Sequence, residues 1–187
     1  RKGLDAISAA RDANGASGLR HEIAHANYIS DADLDRFKAL DAVAEMSPKM
    51  WYPNPGTPVQ TAFLGAVRVQ KNHRIGDLYA AGAEMIYGSD WPAAAPDANP
   101  WSGLSGMLTR RNQDPAYPGV LAAEQGISLA RALPIFTTHG ARALRMEGET
   151  GALKAGAWAD FIVLAEDLTA IAPEQIAHVL PRETIWK

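Results

Sequence analysis

The sequence predicts an α/β fold built on a parallel sheet, followed by a smaller β-rich segment. Along the first half of the chain, short apolar runs typical of strands alternate with segments of helical periodicity, and the connections are short. One such run, Ala83–Tyr87, ends in Gly88-Ser89-Asp90 and so places a carboxylate at the tip of a strand. Later in the chain the pattern changes, and Ala159–Leu164 is rich in strand-forming residues.

The elements of the first half follow from local residue patterns. In order, we predict a helix over 3–14, a strand over Leu19–Ala26, a helix after residue 30, a strand over Asp41–Met46, helices within Thr61–Gln70 and over Ile75–Ala81, and the strand Ala83–Tyr87. Asn14-Gly15 is a common helix stop. Ser30 is expected to cap the second helix, with Asp33 at the capping-box position. The buried face of that helix is predicted to carry Leu34, Phe37 and Leu40.

Loops and the later elements are read from proline, glycine and capping residues. Residues 47–60 contain four prolines and are expected to form an irregular loop. The remaining predicted elements are a helix around Gly103–Arg111, a helix capped by Ser128 that runs to Thr138 with a break near Pro134, and strands at Ala159–Leu164, Ile176–Leu180 and Glu183–Trp186. We place a domain boundary near residue 148, which gives segments 1–147 and 148–187.

Composition excludes several classes of protein. The chain has 187 residues, of which 47% are hydrophobic and 21% charged, as in ordinary globular proteins. The net charge of −3 provides no basic surface, so a nucleic-acid partner is not expected. No apolar run approaches the roughly 20 residues that span a bilayer, so no membrane partner is expected either. With no signal peptide in these residues, we expect a cytoplasmic location, and the absence of cysteine excludes disulfides and thiolate metal ligands.

The two ends of the chain have the pattern of a fragment. Helical spacing begins at the first residues without a capping residue ahead of it, and the final strand stops without a turn. We therefore expect a piece of a longer protein.

His25 and Asp90 are the candidate metal ligands. Both lie at the carboxyl ends of predicted parallel strands, and imidazole nitrogen and carboxylate oxygen are standard ligands for zinc and similar ions. Asp90 could equally act as a general base, or as both ligand and base. The competing interpretation is that a strand histidine is packed or hydrogen-bonded and that Asp90 is a turn or cap residue. Two ligands do not complete a catalytic zinc site, which generally has three protein ligands and a water molecule.

Other candidate residues also have structural interpretations. Arg110, beside Arg111, could bind an anionic substrate group, although a solvated helix end also favours cations. Trp51 and Trp91 lie in loops that follow strands and could line an apolar substrate pocket or pack those loops in place. His73 lies in a polar stretch and is expected to be exposed.

Three segments together resemble the amidohydrolase superfamily. They are Arg20-His21-Glu22-Ile23-Ala24-His25-Ala26, the stretch Gly82–Pro92 with Gly-Ser-Asp-Trp-Pro, and Gly151-Ala-Leu-Lys-Ala-Gly-Ala-Trp-Ala-Asp160 with the apolar run that follows. The likeness spans the chain in the family's order, and the branch it resembles contains the N-substituted formamide deformylases. It implies the last three strands and helices of a (β/α)8 TIM-type barrel, with Leu19–Ala26, Asp41–Met46 and Ala83–Tyr87 as strands six to eight. Strands of a small β-sandwich would follow.

The resemblance also implies roles for individual residues. His25 matches the metal-site histidine of the sixth strand, and Asp90 matches the eighth-strand aspartate that touches the metal and takes a proton from the attacking water. The implied cofactor is a divalent metal, zinc being the expected ion, and its remaining ligands would lie upstream of Arg1. Ala24 departs from the branch, in which glutamate commonly precedes the histidine, so this position lacks the carboxylate that the resemblance implies.

The function that we expect is hydrolysis of an amide-type C–N bond in a small-molecule substrate through a metal-activated water. The fragment alone is expected to be inactive and to pair with a second copy or with the missing N-terminal part, because half a barrel leaves strand edges open. The alternative is a catalytically inactive barrel remnant that acts as a binding or interaction module. A metal-independent sugar- or phosphate-binding barrel ranks lower, because no glycine-rich phosphate loop is present.

Overall fold

Helices and parallel strands alternate along most of the chain. The computed structural model describes residues 1–15, 18–47, 51–93 and 97–186. In these residues the helices are α1 (Lys2–Asn14), α2 (Leu34–Ala39), α3 (Thr57–Leu64), α4 (Ala66–Val69), α5 (Ile75–Ala80), α6 (Pro100–Thr109), α7 (Leu129–Phe136) and α8 (Thr138–Ala143). The strands are β1 (Glu22–Ile23), β2 (Val43–Met46), β3 (Glu84–Tyr87), β4 (Phe161–Leu164) and β5 (Pro181–Ile185). Short 3-10 turns lie at Asp31–Asp33, Ala123–Gln125 and Gln175–His178.

The first sheet is parallel and has the order β1-β2-β3. Glu22 pairs with Val43 across β1 and β2, and Met46 pairs with Tyr87 across β2 and β3. Each strand is followed by helix before the next one begins, as parallel strands require a crossover connection. The predicted α/β class with a parallel sheet is therefore confirmed.

The core lies between this sheet and the helices around it. The central strand β2 contributes Val43, Ala44 and Met46, all nearly inaccessible to solvent. This apolar run is expected of a parallel strand that is covered on both faces. Helices α2, α5, α6 and α7 supply fully or nearly fully buried side chains at Phe37, Ile75, Leu78, Leu104, Met107, Ala132 and Ile135. Of the predicted face of α2, Phe37 is buried, and Leu34 and Leu40 pack against the core.

Several helix boundaries differ from the predicted ones for identifiable reasons. The helix expected within Thr61–Gln70 is two helices, because Gly65 adopts φ 81° and interrupts it after Leu64. Its first part begins at Thr57, inside the expected 47–60 loop, with Pro58 in the first turn where proline is tolerated. Residues 48–50 of that loop, and 94–96 of the one after Asp90, lie outside the described residues.

Two predicted local features near helix ends are corrected. Ser30 does not cap through its side chain, because its hydroxyl donates to the Asp33 carboxylate instead of accepting a backbone N–H. Pro134 lies inside α7, and the break comes after it, at Thr137, whose backbone is not helical.

The segment after residue 148 forms an antiparallel pair of strands. Ile162 of β4 pairs with Thr184 of β5. The strand predicted over Ile176–Leu180 is wrong, since a 3-10 turn occupies Gln175–His178 and buries Ile176 in the main core. A short apolar run cannot reveal by itself whether it pairs as a strand or packs as a turn. The boundary near residue 148 stays a prediction.

Candidate metal and catalytic site

The carboxyl ends of β1, β2 and β3 lie at one edge of the parallel sheet. His25 follows β1, Ser47 follows β2, and Asp90 follows β3 after Gly88-Ser89. Groups at this edge converge because parallel strands all point the same way, and ligand sites of parallel α/β folds form here. The sheet topology therefore brings residues far apart in sequence to one place.

The structure brings together His25 and Asp90, the two residues that the sequence singled out. His25 Nε2 lies 4.0 Å from Asp90 Oδ1, although the strands that carry them are separated by β2. The two side chains therefore face each other above the central strand. Their side chains are 41% and 25% exposed, so the pair is open to solvent on one side.

Both residues have left-handed backbone conformations. The φ angle is 62° at His25 and 54° at Asp90. Residues other than glycine are rarely held there, and the strain costs about 1–3 kcal/mol at each position. Such outliers cluster at functional sites, where surrounding contacts hold them. The left-handed turn at His25 and Ala26 also accounts for β1 ending at Ile23, so the predicted strand Leu19–Ala26 is too long.

Glu45, on the central strand, contacts this site and was not found by sequence reasoning. Its Oε2 accepts a hydrogen bond of 2.9 Å from the backbone N–H of His25. The hydroxyl of Ser47 lies 3.2 Å from each carboxylate oxygen. The available signal was an acidic residue inside the otherwise apolar strand Val43–Met46, but recognising its partner requires knowing that β2 neighbours β1.

Arg110 is a structural residue in this arrangement. Its side chain is fully buried, and its guanidinium donates to the carbonyl oxygens of Leu121, His73 and Asn72 at 2.9, 3.2 and 3.1 Å. Burial lowers the pKa of Arg110 to about 9. The helix end that carries it is not solvated as expected, and the predicted binding of an anionic substrate group receives no support from this position.

His73 is buried, contrary to the expectation that it is exposed. Neither ring nitrogen has a hydrogen-bond partner in the part of the chain that the structure describes. Trp51 packs edge-on against the imidazole, with 5.8 Å between ring centroids. Burial lowers the pKa of His73 to about 3, with smaller contributions from the charges of Arg110 and His25. His73 is therefore neutral at ordinary pH.

The aromatic residues of the loops divide between packing and exposure. Trp51 is completely buried and Tyr52 is nearly so, and both side chains pack against α6. At Gly106 a Cβ atom would lie 2.5 Å from the Tyr52 ring and 3.0 Å from Trp51 Nε1, so only glycine permits this approach. Trp91 is 57% exposed directly beside Asp90. Of the two predicted pocket tryptophans, Trp91 is thus accessible to a ligand and Trp51 is not.

His25 and Asp90 are of the chemical type that binds divalent ions, but two ligands are too few for a complete site. The 4.0 Å between His25 Nε2 and Asp90 Oδ1 is longer than the roughly 3.3 Å between two ligand atoms of a tetrahedral zinc ion with bonds of about 2.0 Å, so the two side chains would have to move closer to share one ion. Among the described residues, no group of three or more histidine or acidic side chains is close enough to hold a metal ion. His25 and Asp90 could hold part of a metal site, and further ligands would have to come from elsewhere.

The model of one protein family matches the chain along its whole length. The model of the amidohydrolase family matches residues 1–187. The chain belongs to the amidohydrolase family. No curated protein was found to match it at a significant level.

Three solved structures share the fold of this chain. An uncharacterized metal-dependent hydrolase from Pyrococcus horikoshii OT3 is similar with a TM-score of 0.67 and 23% identity, over 90% of this chain and 33% of that one. An adenosine deaminase from Xanthomonas campestris with bound zinc gives a TM-score of 0.58 and 16% identity, over 86% and 33%. A prolidase complexed with N-methylphosphonate-L-proline gives 0.58 and 20%, over 98% and 43%. The chain therefore spans between a third and a half of the length of these proteins.

Proposed function

We propose that residues 1–187 are the C-terminal portion of a metal-dependent amidohydrolase that hydrolyses an amide-type C–N bond in a small molecule. The observation that carries this proposal is the 4.0 Å approach of His25 Nε2 to Asp90 Oδ1 at the carboxyl edge of a parallel sheet. Membership of the amidohydrolase family supports it. In this proposal β1, β2 and β3 are the last three strands of a (β/α)8 barrel, and β4 and β5 belong to a small β-sandwich.

The two residues have different proposed tasks. Asp90 is the general base that accepts a proton from the attacking water and passes it to the leaving nitrogen. His25 holds the metal or orients the carbonyl oxygen of the substrate. A divalent ion held there, in this proposal zinc, would supply a more acidic water and would polarise the carbonyl. The remaining ligands are proposed to lie in chain that precedes Arg1.

For the substrate, we propose an amide with an apolar substituent on nitrogen, as in the formamide deformylase-like branch. The exposed indole of Trp91, next to Asp90, offers an apolar surface for such a substituent. The structural neighbours carry the names of different hydrolases, so they do not select among substrates.

The test compares Asp90→Asn with wild type in the whole protein. Metal content is measured by elemental analysis, and hydrolysis is scored on a panel of N-formyl and N-acyl amides. We expect the variant to lose at least 100-fold in kcat, because an amide cannot accept the proton. The control is Asp35→Asn on the exposed surface of α2, which should leave activity unchanged. Full activity of Asp90→Asn would remove Asp90 from the mechanism.

The competing candidate is an inactive barrel remnant that serves as a binding module. The observation in its favour is the donor count, since His25 and Asp90 are joined by no third metal-ligating side chain among the described residues. The same experiment separates the two: a wild-type protein that contains no divalent metal and hydrolyses no substrate of the panel supports the remnant.

A further inference from the structure

We propose that Glu45 is a positioning residue that holds His25 and Asp90 facing each other. Its consequence for catalysis rests on the proposed function, whereas its effect on the local structure can be measured independently. The argument starts from its place on β2, the strand that lies between those carrying His25 and Asp90. Ala44 pairs with Ile23 of β1, and Glu45 itself pairs with Ile86 of β3, so the carboxylate is within reach of both neighbouring strand ends.

The first contact of Glu45 holds the strained backbone of His25. The left-handed φ of 62° at this residue must be maintained by contacts that outweigh its cost. The hydrogen bond from the His25 N–H to Glu45 Oε2, at 2.9 Å, is such a contact. Because the backbone conformation sets the direction of the Cα–Cβ bond, this contact helps to determine the direction in which the His25 side chain leaves the chain.

The second contact is with the turn that leads to Asp90. A Cβ atom added at Gly88 would overlap Glu45 Oε1. The carboxylate therefore occupies the space that any side chain at position 88 would require. The Gly88 backbone is fixed from the other side, since its N–H donates to the Met46 carbonyl at 2.9 Å. The Glu45 carboxylate thus lies between the backbone of His25 and the start of the Gly88-Ser89-Asp90 turn.

The carboxylate has a second hydrogen-bond partner. The buried hydroxyl of Ser47 lies 3.2 Å from both oxygens and can donate to either, while Oε2 accepts the His25 N–H. Side chains behind a metal-site histidine commonly affect metal affinity or activity by 10–100-fold when they are removed. We expect the same range for Glu45.

The first experiment uses two substitutions at Glu45 in the whole protein. Glu45→Gln retains a carbonyl oxygen that can accept the His25 N–H, whereas Glu45→Met retains the volume and removes the acceptor. Hydrogen exchange of the peptide that contains His25 is followed by mass spectrometry. We expect exchange at least 10-fold faster in Glu45→Met and close to wild type in Glu45→Gln, because only the first loses the hydrogen bond.

The same variants are assayed for zinc affinity, by competition with a chelator, and for kcat and KM. Glu45→Met should bind zinc 10–100-fold more weakly and lose kcat, and Glu45→Gln should recover most of both. Glu84→Met is the matched control, because Glu84 lies at the opposite end of β3 and pairs with Arg142 at 2.8 Å. It should leave zinc affinity and exchange at His25 unchanged.

Gly88→Ala provides a second route that leaves Glu45 in the sequence. The added methyl group must displace the Glu45 carboxylate, which is the flexible end of its side chain. We expect Gly88→Ala to reproduce the faster exchange at His25 seen in Glu45→Met. In a Glu45→Ala background the methyl group has room, so the double variant should be no worse than Glu45→Ala alone. This non-additivity would show that both substitutions act through one contact.

The outcomes separate this proposal from the proposed function. Unchanged exchange at His25 in both Glu45→Met and Gly88→Ala overturns the positioning role, whatever the activity. Faster exchange that is rescued by glutamine supports it, even when the wild-type protein neither binds zinc nor hydrolyses the amide panel, a result that would reject the proposed function alone. Equal exchange and zinc affinity in Glu45→Gln and Glu45→Met would also overturn it, because the hydrogen-bond acceptor that glutamine retains would then make no difference.

Discussion

His73 shows how burial changes the chemistry of a single side chain. The imidazole has no access to solvent, and its neighbours include the Trp51 ring and the buried Arg110. A protonated ring here would lack both water and a hydrogen-bonded anion, so burial lowers its pKa to about 3. The sequence could not reveal this, because Trp51 and Arg110, which contact His73, are distant from it along the chain.

This burial predicts a loss of stability in acid. As pH falls below the ordinary histidine pKa of about 6.5, the unfolded chain binds a proton that folded His73 does not accept until about pH 3. The contribution of His73 is therefore complete above pH 6.5 and decreases by about 1.4 kcal/mol per pH unit through that window. Replacing His73 with Phe should remove this component of the pH dependence, as measured by urea unfolding at about pH 7 and pH 4.5. Equal slopes in the two proteins would contradict it.

At the level of elements, Arg110 joins the end of α6 to the turn before α5. One guanidinium donates to carbonyls of Asn72 and His73 and also to Leu121, so three segments share one side chain. Arg110 itself has φ 58°, which turns the chain out of the helix. The turn in question also carries the Asn72 side chain, which accepts a 3.3 Å hydrogen bond from Asn27, two residues after His25.

Removing this link should destabilise the protein without a direct effect on chemistry. We expect Arg110→Met to lower the free energy of unfolding by about 3 kcal/mol, because buried carbonyl oxygens lose their donors. The neighbouring Arg111 is half exposed and 3.9 Å from Glu174, so Arg111→Met should cost less than about 0.5 kcal/mol. Urea denaturation of both variants measures the difference. Similar losses of unfolding free energy in the two variants would show that the buried guanidinium of Arg110 contributes nothing to stability.

The sequence was sufficient for those elements that local patterns define. Helix α1 and strands β2 and β3 were predicted within two residues of their observed ends, because apolar periodicity and glycine or proline stops mark them. The sequence was insufficient for elements whose ends or type are set by tertiary contacts. Strand β1 is shortened by the left-handed turn at His25, and the run at Ile176 became a 3-10 turn because it packs on the core that α6 helps to form.

The candidate site was predictable only in its outline. His25 and Asp90 could be matched because each ends a strand of the same parallel sheet. Glu45 could not be predicted. Its proposed role depends on a hydrogen bond across strands to the His25 backbone N–H, and on the absence of a side chain at Gly88, which leaves room for the carboxylate. Arg110 and Trp51 were expected near a substrate because of their residue types, but burial assigns both to packing.

At the level of the whole molecule, two kinds of apolar surface are uncovered. Helix α3 buries none of its residues, and Phe63 and Val67 of the α3–α4 pair are 84% and 82% exposed. On the antiparallel pair, side chains of β4 are also partly exposed, as is Trp186 beyond β5. The order β1-β2-β3 leaves an unpaired edge on each side of the parallel sheet in the described residues. None of the helices in this part of the chain has the length and apolar character needed to cross a membrane.

These open surfaces predict that residues 1–187 alone will associate and will not catalyse. Unpaired strand edges and exposed apolar side chains pair with other chains, and two metal donors do not complete a site. Light scattering after size exclusion should therefore report dimers or larger species, and zinc-dependent amide hydrolysis should be at least 100-fold below that of the whole protein. Extending the protein with the upstream strands should restore both a single oligomeric species and zinc-dependent activity. A monodisperse monomer of residues 1–187 with full zinc-dependent activity would contradict both the proposed incomplete barrel and the proposed need for ligands from outside this chain.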